Sequence, residues 1–224
     1  MKVFGQRQED NIMIKIKNVN KILKKKTVLN GIDLSINEGD FILLRGHNGC
    51  GKTMLLRLIC GLISPDEGSI SQERELSFGV IIENPAFLLS ETAKYNLKYL
   101  AAINKKVTDD EIDELLQQFG LYDVRNKKVR TFSLGMKQRL ALVQAIMEKP
   151  NVLLLDEPFN AIDDSNLKMI FGLLDSYNEA GNTIIVASHG DYSSSCSFNR
   201  IITMSDGKIQ SDEKISSSGV CDQP

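Results

Sequence analysis

The stretch that decides the fold reads Gly46-His47-Asn48-Gly49-Cys50-Gly51-Lys52-Thr53. Its spacing is that of a phosphate-binding loop, G-x-x-x-x-G-K-[ST], which is informative where a strand precedes it and a helix follows it. Residues 41–44 are an apolar run that predicts a buried strand, and residues 52–60 predict a helix. The order strand, loop, helix therefore favours a phosphate site over a chance glycine-rich turn.

Each part of this loop has an expected role toward a nucleotide. The glycines let backbone N–H groups turn inward around phosphate oxygens, and the positive end of the helix adds to the attraction. We expect residues 46–53 to contact the nucleotide, with Lys52 neutralising its β and γ phosphates and Thr53 giving its hydroxyl to Mg²⁺. Cys50 lies just before the helix N-terminus, where a thiol is expected to be reactive unless it is buried.

A second apolar strand, predicted over residues 152–155, ends in the adjacent acids Asp156 and Glu157. In a phosphoryl-transfer site the first carboxylate holds Mg²⁺ and the second lies near the attacking water. Asp156 is therefore the predicted metal ligand and Glu157 the predicted general base. An acid pair at a strand end is more often plain surface charge, but this pair follows a phosphate loop.

Further apolar runs predict an α/β fold with a mostly parallel central sheet. Core strands are expected at 41–44, 78–82, 152–155 and 183–187. Ahead of them, strands at 12–19 and 32–36 flank a lysine-rich turn and form an N-terminal antiparallel β-subdomain. A hairpin is expected at 201–204 and 208–210, around Asp206-Gly207.

Residues 85–150 have almost no strand character and are predicted to form an inserted helical subdomain. Thr108 and Glu111 make a capping box ahead of an apolar helical run. Ser133 can cap another helix, expected to run to Lys149.

The length of 224 residues, 42% of them hydrophobic, suits one buried core. We expect a single domain over 1–210, with a core from 1–84 and 151–210, and a serine-rich tail at 211–224 that does not pack. Lys plus Arg (27) nearly balance Asp plus Glu (29), so no overall charge favours nucleic acid. No apolar run reaches the roughly 18 residues that span a bilayer, and no secretory signal pattern follows the start. A cytoplasmic location is therefore expected.

The segment Phe132-Ser133-Leu134-Gly135-Met136-Lys137-Gln138-Arg139 resembles the signature of ABC ATPases. The resemblance extends from residue 12 to residue 208 and implies a P-loop NTPase that works in pairs. In this family ATP lies between one chain's phosphate loop and the partner's signature helix. Ser133 and the Gly135 backbone would then touch the γ-phosphate bound by the partner. A serine that only caps its own helix is the alternative.

Two further segments resemble elements of this family. Asn160-Ala161-Ile162-Asp163 resembles the D-loop, which crosses the dimer interface and would bring Asp163 to the nucleotide. Ser188-His189 resembles the switch histidine, which makes His189 a candidate catalytic residue. A lone histidine is more often structural than catalytic, but this one follows a core strand on the phosphate side.

Three features depart from the usual family pattern. Glu83 stands where the Q-loop usually has glutamine, and as an anion it is a candidate catalytic residue and Mg²⁺ ligand. The signature has Phe132, Leu134 and Met136 where leucine, glycine and glutamine are usual. Together these variants resemble ATPases of bacitracin-resistance and lantibiotic-immunity exporters, which implies export.

The third departure is Leu23, which stands where an aromatic residue usually stacks on adenine. An aliphatic side chain lacks the roughly 0.5–1.5 kcal/mol specific to aromatic geometry. Base selectivity is therefore expected to be loose, so that GTP is also a candidate nucleotide.

The resemblance implies an ATPase that uses ATP and Mg²⁺ to drive a membrane transporter. Its expected partners are a second ATP-binding subunit, either a copy or a paralogue, and an integral membrane permease that holds it at the inner face of the cell membrane. Phe87, Leu88 and Leu89 either contact that permease or belong to the subdomain core.

The alternative is a soluble ABC-type ATPase of a non-transport assembly. A GTPase switch would need Asn-Lys-x-Asp, yet Asn104-Lys105-Lys106 and Asn126-Lys127-Lys128 are both followed by valine. A small-molecule kinase would share the phosphate loop without needing the signature.

Overall fold

The computed structural model describes residues 11–83, 86–193 and 195–215. In chain order the main elements are β1 (Ile12–Leu23), β2 (Lys26–Asn37), β3 (Phe41–Arg45), α1 (Lys52–Ile59), β4 (Glu67–Gln72), β5 (Phe78–Ile81), α2 (Ala93–Asn104), α3 (Asp109–Gln118), α4 (Leu134–Ile146), β6 (Val152–Asp156), α5 (Asp164–Glu179), β7 (Thr183–Ser188), β8 (Arg200–Ser205) and β9 (Lys208–Lys214). Across these described ranges, no helix has the length and apolar character needed to cross a membrane.

The central sheet has the strand order β5-β6-β7-β3-β8-β9. Every neighbouring pair is parallel except β8 with β9. Strands β3, β6 and β7 are almost wholly buried, as parallel strands covered on both faces should be. Because carboxyl ends of parallel strands meet at one edge, the segments that follow these three strands converge there. The prediction of an α/β fold with a mostly parallel sheet is confirmed.

A smaller antiparallel sheet has the order β2-β1-β4. The lysine-rich stretch predicted as a turn is mostly strand, since only Lys24 and Lys25 turn, with φ of 49° and 67°. The chain pairs on both sides of them, and the side chains of these two lysines stay exposed, so their charges do not oppose pairing. Strand β4 was not predicted, because all of its residues except Ile70 are exposed and no alternation marks it.

The described residues between β5 and β6 are largely helical. Both halves of the Thr108–Glu111 capping box are present at the start of α3, as predicted. Ser133 caps α4, but this helix ends at Ile146 rather than at Lys149. The reason is local, because Lys149 has a left-handed φ of 52°, which a helix cannot continue through. Helix α2, capped by Thr92, was not predicted.

The C-terminal hairpin is longer than the sequence indicated. Residues 211–214 belong to β9 and pair with β8, so the prediction of an unpacked tail from 211 onward is wrong for these four residues. Arg200 explains why, since its guanidinium donates to Asp212 at 2.7 and 2.6 Å and to Asp40 at 2.8 Å. This ion pair network ties β9 to β8 and to the residue that precedes β3. The rest of the predicted tail, 216–224, and residues 1–10 of the predicted core lie outside the described residues.

Candidate nucleotide site

The phosphate loop lies between β3 and α1, where the sequence placed it. It borders a pocket of about 300 Å³. The lining residues are Val28, Asn48, Gly49, Gly51, Lys52, Thr53, Met54, Asp156 and Glu157. The Lys52 ammonium is buried and donates to the carbonyl oxygens of Gly46 at 2.7 Å and His47 at 3.4 Å. An ammonium has three protons to donate, so Lys52 can still serve a phosphate oxygen.

A polar contact joins two of the three predicted metal ligands. The Thr53 hydroxyl donates to Asp156 Oδ2 at 2.6 Å, which links α1 to the end of β6. Burial raises the pKa of the Asp156 carboxyl, and the hydrogen bond from Thr53 acts in the opposite direction. Hydroxyl and carboxylate oxygens are the hard ligands that Mg²⁺ prefers. The pair therefore fits a Mg²⁺ site beside the loop.

Glu157 is held by the last residues of β7 and by His189, which follows them. Its carboxylate accepts hydrogen bonds from Ser188 Oγ at 3.2 Å and from the His189 backbone N–H at 2.9 Å, and His189 Nδ1 lies 2.8 Å from Oε1. Its own N–H donates to the Ala187 carbonyl at 2.8 Å, and its φ is 48°. Glu157 and His189, two predicted catalytic residues, thus meet in one cluster. Ser188 is a third member that sequence reasoning did not single out.

Glu83 lies on the other side of the two acids. It borders a second pocket, of about 340 Å³, together with Asp156 and Glu157. Its carboxylate forms an ion pair with Arg57 of α1. Arg57 was not predicted as a site residue, because no motif marks a cation one turn after Thr53. It supplies a positive charge near the carboxylates of Glu83 and Asp156.

The predicted signature residues lie at the start of α4. Ser133 is exposed, and its Oγ accepts the Met136 N–H at 3.2 Å, so it caps its own helix. Gly135 lies against the Ala161 carbonyl, where an added Cβ would approach to 2.5 Å. Neither residue borders the 300 Å³ pocket of the same chain. Capping and anion binding can use the same helix end. The cap on α4 is therefore compatible with a contact between Ser133 and a partner's nucleotide.

Asp163 is occupied by local contacts. It caps α5, accepting from Ser165 Oγ at 2.6 Å, from Asn166 Nδ2 at 2.7 Å and from the Asn166 N–H at 3.1 Å. The hydrogen bond from Ser165, followed by those from Asn166, holds the pKa of this carboxyl well below its usual range. Within one chain, Asp163 therefore stabilises the start of α5. It lines neither of the two pockets that Glu157 borders.

Leu23, the predicted contact to the base, ends β1 at the tip of the hairpin and is exposed. It is not among the described residues that line the phosphate pocket. The hairpin contributes Val28 of β2 to the pocket instead. The sequence did not indicate this contact, because only the strand register brings Val28 to the pocket.

Cys50 corrects the expectation of a reactive thiol. It is 1% exposed and packs beneath the loop with the core that contains Leu29 and Met204. The alternative, a buried and inert cysteine, therefore describes Cys50, because a reagent cannot reach a buried thiol.

We expect a maleimide to label Cys60, which is half-buried, well before Cys50 in the folded protein. Mass spectrometry of tryptic peptides after a time course would give both rates, and labelling in denaturant provides the control for intrinsic reactivity. Once Cys50 has reacted, MgATP binding should be lost. Its Sγ lies 2.7 Å from the position of a Cβ added to Gly46, so a group attached to the thiol would displace the loop. Rapid labelling of Cys50 in folded protein would contradict this placement.

Comparison with known proteins identifies the family of this chain. A profile of the family described as ABC transporter matches residues 29–160. The uncharacterized ABC transporter ATP-binding protein YybJ of Bacillus subtilis (strain 168) is 42% identical, over 91% of this chain and 97% of YybJ. The lantibiotic transport ATP-binding protein SrtF of Streptococcus pyogenes is 35% identical, over 79% of this chain and 80% of SrtF. The spermidine/putrescine import ATP-binding protein PotA of Spiroplasma citri is 36% identical, over 90% of this chain and 61% of PotA.

The fold has a solved counterpart as well. The dimeric ATP-binding cassette MJ0796, in a post-hydrolysis state bound to ADP and Pi, superposes with a TM-score of 0.83 at 26% identity, over 91% of this chain and 99% of that chain. The profile match covers more than half of the chain, and YybJ is matched over nearly its whole length. The chain therefore belongs to the ABC transporter family, as one of its ATP-binding proteins.

Proposed function

We propose that this chain hydrolyses MgATP as one of two paired ATP-binding subunits and that the cycle drives export through a separate membrane permease. The observation that carries this proposal is the division of the site. Lys52, Thr53, Asp156 and Glu157 border one pocket, whereas Ser133 stands exposed outside it at a helix N-terminus. In the proposed pair, a second subunit brings its Ser133 helix end to the nucleotide, and the MJ0796 dimer supports that arrangement.

The chemistry follows from the contacts in the pocket. Lys52 and the loop amides bind the phosphates, and Thr53 with Asp156 holds the metal. Mg²⁺ held by these two residues would supply positive charge that neutralises the phosphates. Glu157 takes the proton of the attacking water, and its orientation is fixed by Ser188 and His189. Water attacks the γ-phosphoryl group directly as the bond between the γ-phosphorus and the bridging oxygen breaks, so that ADP and phosphate leave. No covalent enzyme intermediate forms, and positioning and electrostatics supply the rate.

Base recognition is expected to be permissive. Val28 offers an apolar side chain to the pocket, and Leu23 lies exposed at the hairpin tip. Neither provides an aromatic face for stacking. GTP is therefore proposed as a second substrate beside ATP.

An exposed apolar surface supports the permease contact. It consists of Leu88, Leu89, Tyr95, Tyr99 and Ile103, each between 46% and 70% exposed. The last three follow one another at four-residue spacing, which places them on one side of α2. Phe87, in contrast, packs against the core, so only two of the three apolar residues noted in the sequence remain available for contact.

Positive charge flanks this α2 surface. Segment 125–130 runs beside 89–94, joined by backbone hydrogen bonds such as Arg130 N–H to the Leu89 carbonyl at 3.0 Å. Its Lys127, Lys128 and Arg130 are exposed. A permease segment that carries apolar and acidic side chains would complement both parts. Through this contact the chain would be held at the inner face of the membrane.

The direction of transport rests on two sequence variants. Glu83 in the Q-loop and the altered signature resemble those of lantibiotic-immunity and bacitracin-resistance exporters, and SrtF is named for lantibiotic transport. PotA, named for import, is about as similar in sequence. Export is therefore proposed on the variants and not on overall identity.

The permease contact can be tested by changing Leu89 to Asp in the native host. We expect recovery of one integral membrane protein with the chain to fall at least about tenfold, the cost of losing an interface hot spot, while MgATP binding by the purified chain is unchanged. Ile215→Asp, at an exposed position beyond β9, is the matched control and should not reduce recovery.

Two outcomes would go against the transporter proposal. Equal recovery of the membrane protein with Leu89→Asp would reject the α2 surface as its contact. Recovery of the unmodified chain only within a soluble assembly would favour the alternative, a non-transport ABC-type ATPase.

A further inference from the structure

The turn between β8 and β9 contacts the phosphate loop directly. The Gly207 N–H donates to the Cys50 carbonyl at 2.9 Å, and the Gly207 carbonyl accepts the Asn30 N–H at 2.8 Å. One residue of the turn thus bridges the phosphate loop and β2, although it is far from both in sequence. The loop is therefore held by parts of the chain outside its own motif.

The packing at these contacts leaves no room for side chains. A Cβ on Gly207 would lie 2.7 Å from the Val28 carbonyl oxygen, and Gly207 has a φ of +74°. A Cβ on Gly46 would lie 2.3 Å from the Met204 carbonyl oxygen, in β8. Real Cβ atoms do not approach backbone oxygens so closely. The β8–β9 hairpin and the loop are in backbone-to-backbone contact along one side.

This contact bears on phosphate binding through the peptide that joins Cys50 to Gly51. A trans peptide is planar, so its carbonyl and its N–H point in opposite directions. The Cys50 carbonyl is tied outward to Gly207, which turns the Gly51 N–H toward the opposite side. Gly51 is one of the residues that border the phosphate pocket. Inward N–H groups are what a phosphate loop offers its ligand.

We propose that the Asp206–Gly207 turn positions the phosphate loop, by fixing the Cys50–Gly51 peptide with its N–H toward the nucleotide phosphates. The turn's backbone carries this role. The Asp206 side chain is 89% exposed, and His47 Nε2 of the loop lies 4.0 Å from its Oδ1. The proposal deepens the proposed function, since it rests on nucleotide binding by residues 46–53. It adds Gly207 as a positioning residue that the phosphate-loop motif does not contain.

The test compares Gly207→Ala with Gly39→Ala. Gly39 has a nearly equal φ of +77°, but an added Cβ there meets nothing within 4 Å. Both variants have the steric cost of an alanine in the left-handed region. Only Gly207→Ala should displace the turn from the loop. Titration with fluorescent MgADP should show at least about tenfold weaker binding for Gly207→Ala, the cost of an oriented donor to a charged group, and unchanged binding for Gly39→Ala. Asp206→Asn, which keeps the backbone, should bind as the unmodified chain does.

Two further measurements separate this role from a merely structural one. The unfolding temperature without nucleotide should fall in both glycine variants. The hydrogen-exchange rate of the amides in 46–53 should rise only in Gly207→Ala. Equal MgADP affinity in Gly207→Ala and the unmodified chain would overturn the proposal, and so would equal losses in the two glycine variants. Failure of the unmodified chain to bind MgADP would instead reject the proposed function.

A measurement on the unmodified chain covers the case in which Gly207→Ala does not fold. If the turn and the loop act together, saturating MgADP should slow hydrogen exchange at the Gly207 amide as well as at the loop amides. Protection of the loop with no change at Gly207 would contradict the coupling.

Discussion

Replacing Glu157 by Gln should leave MgATP binding intact and slow hydrolysis by about 10²–10⁴-fold, the usual effect of removing a positioned base. Glutamine keeps the size of the side chain and can keep the contacts to Ser188 and to the His189 backbone. It cannot accept a proton from the attacking water. The ATP-bound state should therefore accumulate, and paired subunits should persist in MgATP.

Phosphate release and equilibrium binding of labelled ATP, measured on the same preparation, separate these two effects. Glu179→Gln is the matched control, because Glu179 is an exposed acid at the end of α5, outside both pockets. Hydrolysis by Glu157→Gln at the unmodified rate with Mg²⁺ present would show that Glu157 is not the base. Loss of ATP binding would mean that the carboxylate acts before the chemical step.

Local pattern was sufficient to predict the elements that carry the site. The strand at β3, the loop and α1 are consecutive in the chain, and each has its own signal in composition or spacing. The same holds for β6 with Asp156 and for the capping box of Thr108. Where the pattern was weak the prediction was incomplete, as with β4, which is almost wholly exposed, and with residues 211–214, which pack because of Arg200.

Contacts between distant segments were not accessible from the sequence. Arg57 meets Glu83, Ser188 meets Glu157, and Val28 borders the phosphate pocket only because the two sheets bring separate strands together. The reactivity of Cys50 was misjudged for the same reason, since its position in the loop was clear but its burial was not. Sequence spacing identifies the groups that react, whereas tertiary packing decides which groups hold them.

The central claim is that each nucleotide is bound by two subunits, with Lys52 from one and Ser133 from the other. In a homodimer the two sites are related by two-fold symmetry. Lys52→Ala or Ser133→Arg alone should therefore damage both sites, and the loss of tight MgATP capture should be nearly complete in each variant. Ser71→Arg, the same change at an exposed serine of β4, is the control and should bind normally.

The most direct measurement mixes the Lys52→Ala and Ser133→Arg chains as exchanging monomers, after self-association of the unmodified chain in MgATP has been established. A hybrid dimer has one site with both changes and one site with neither. Random pairing makes about half of the dimers hybrid, so about a quarter of all sites should recover tight MgATP capture. Binding is the readout, because hydrolysis can require both sites. Recovery of no intact site, with hybrids shown to form and both variants folded, would contradict the shared site and leave Ser133 as the cap of α4 alone.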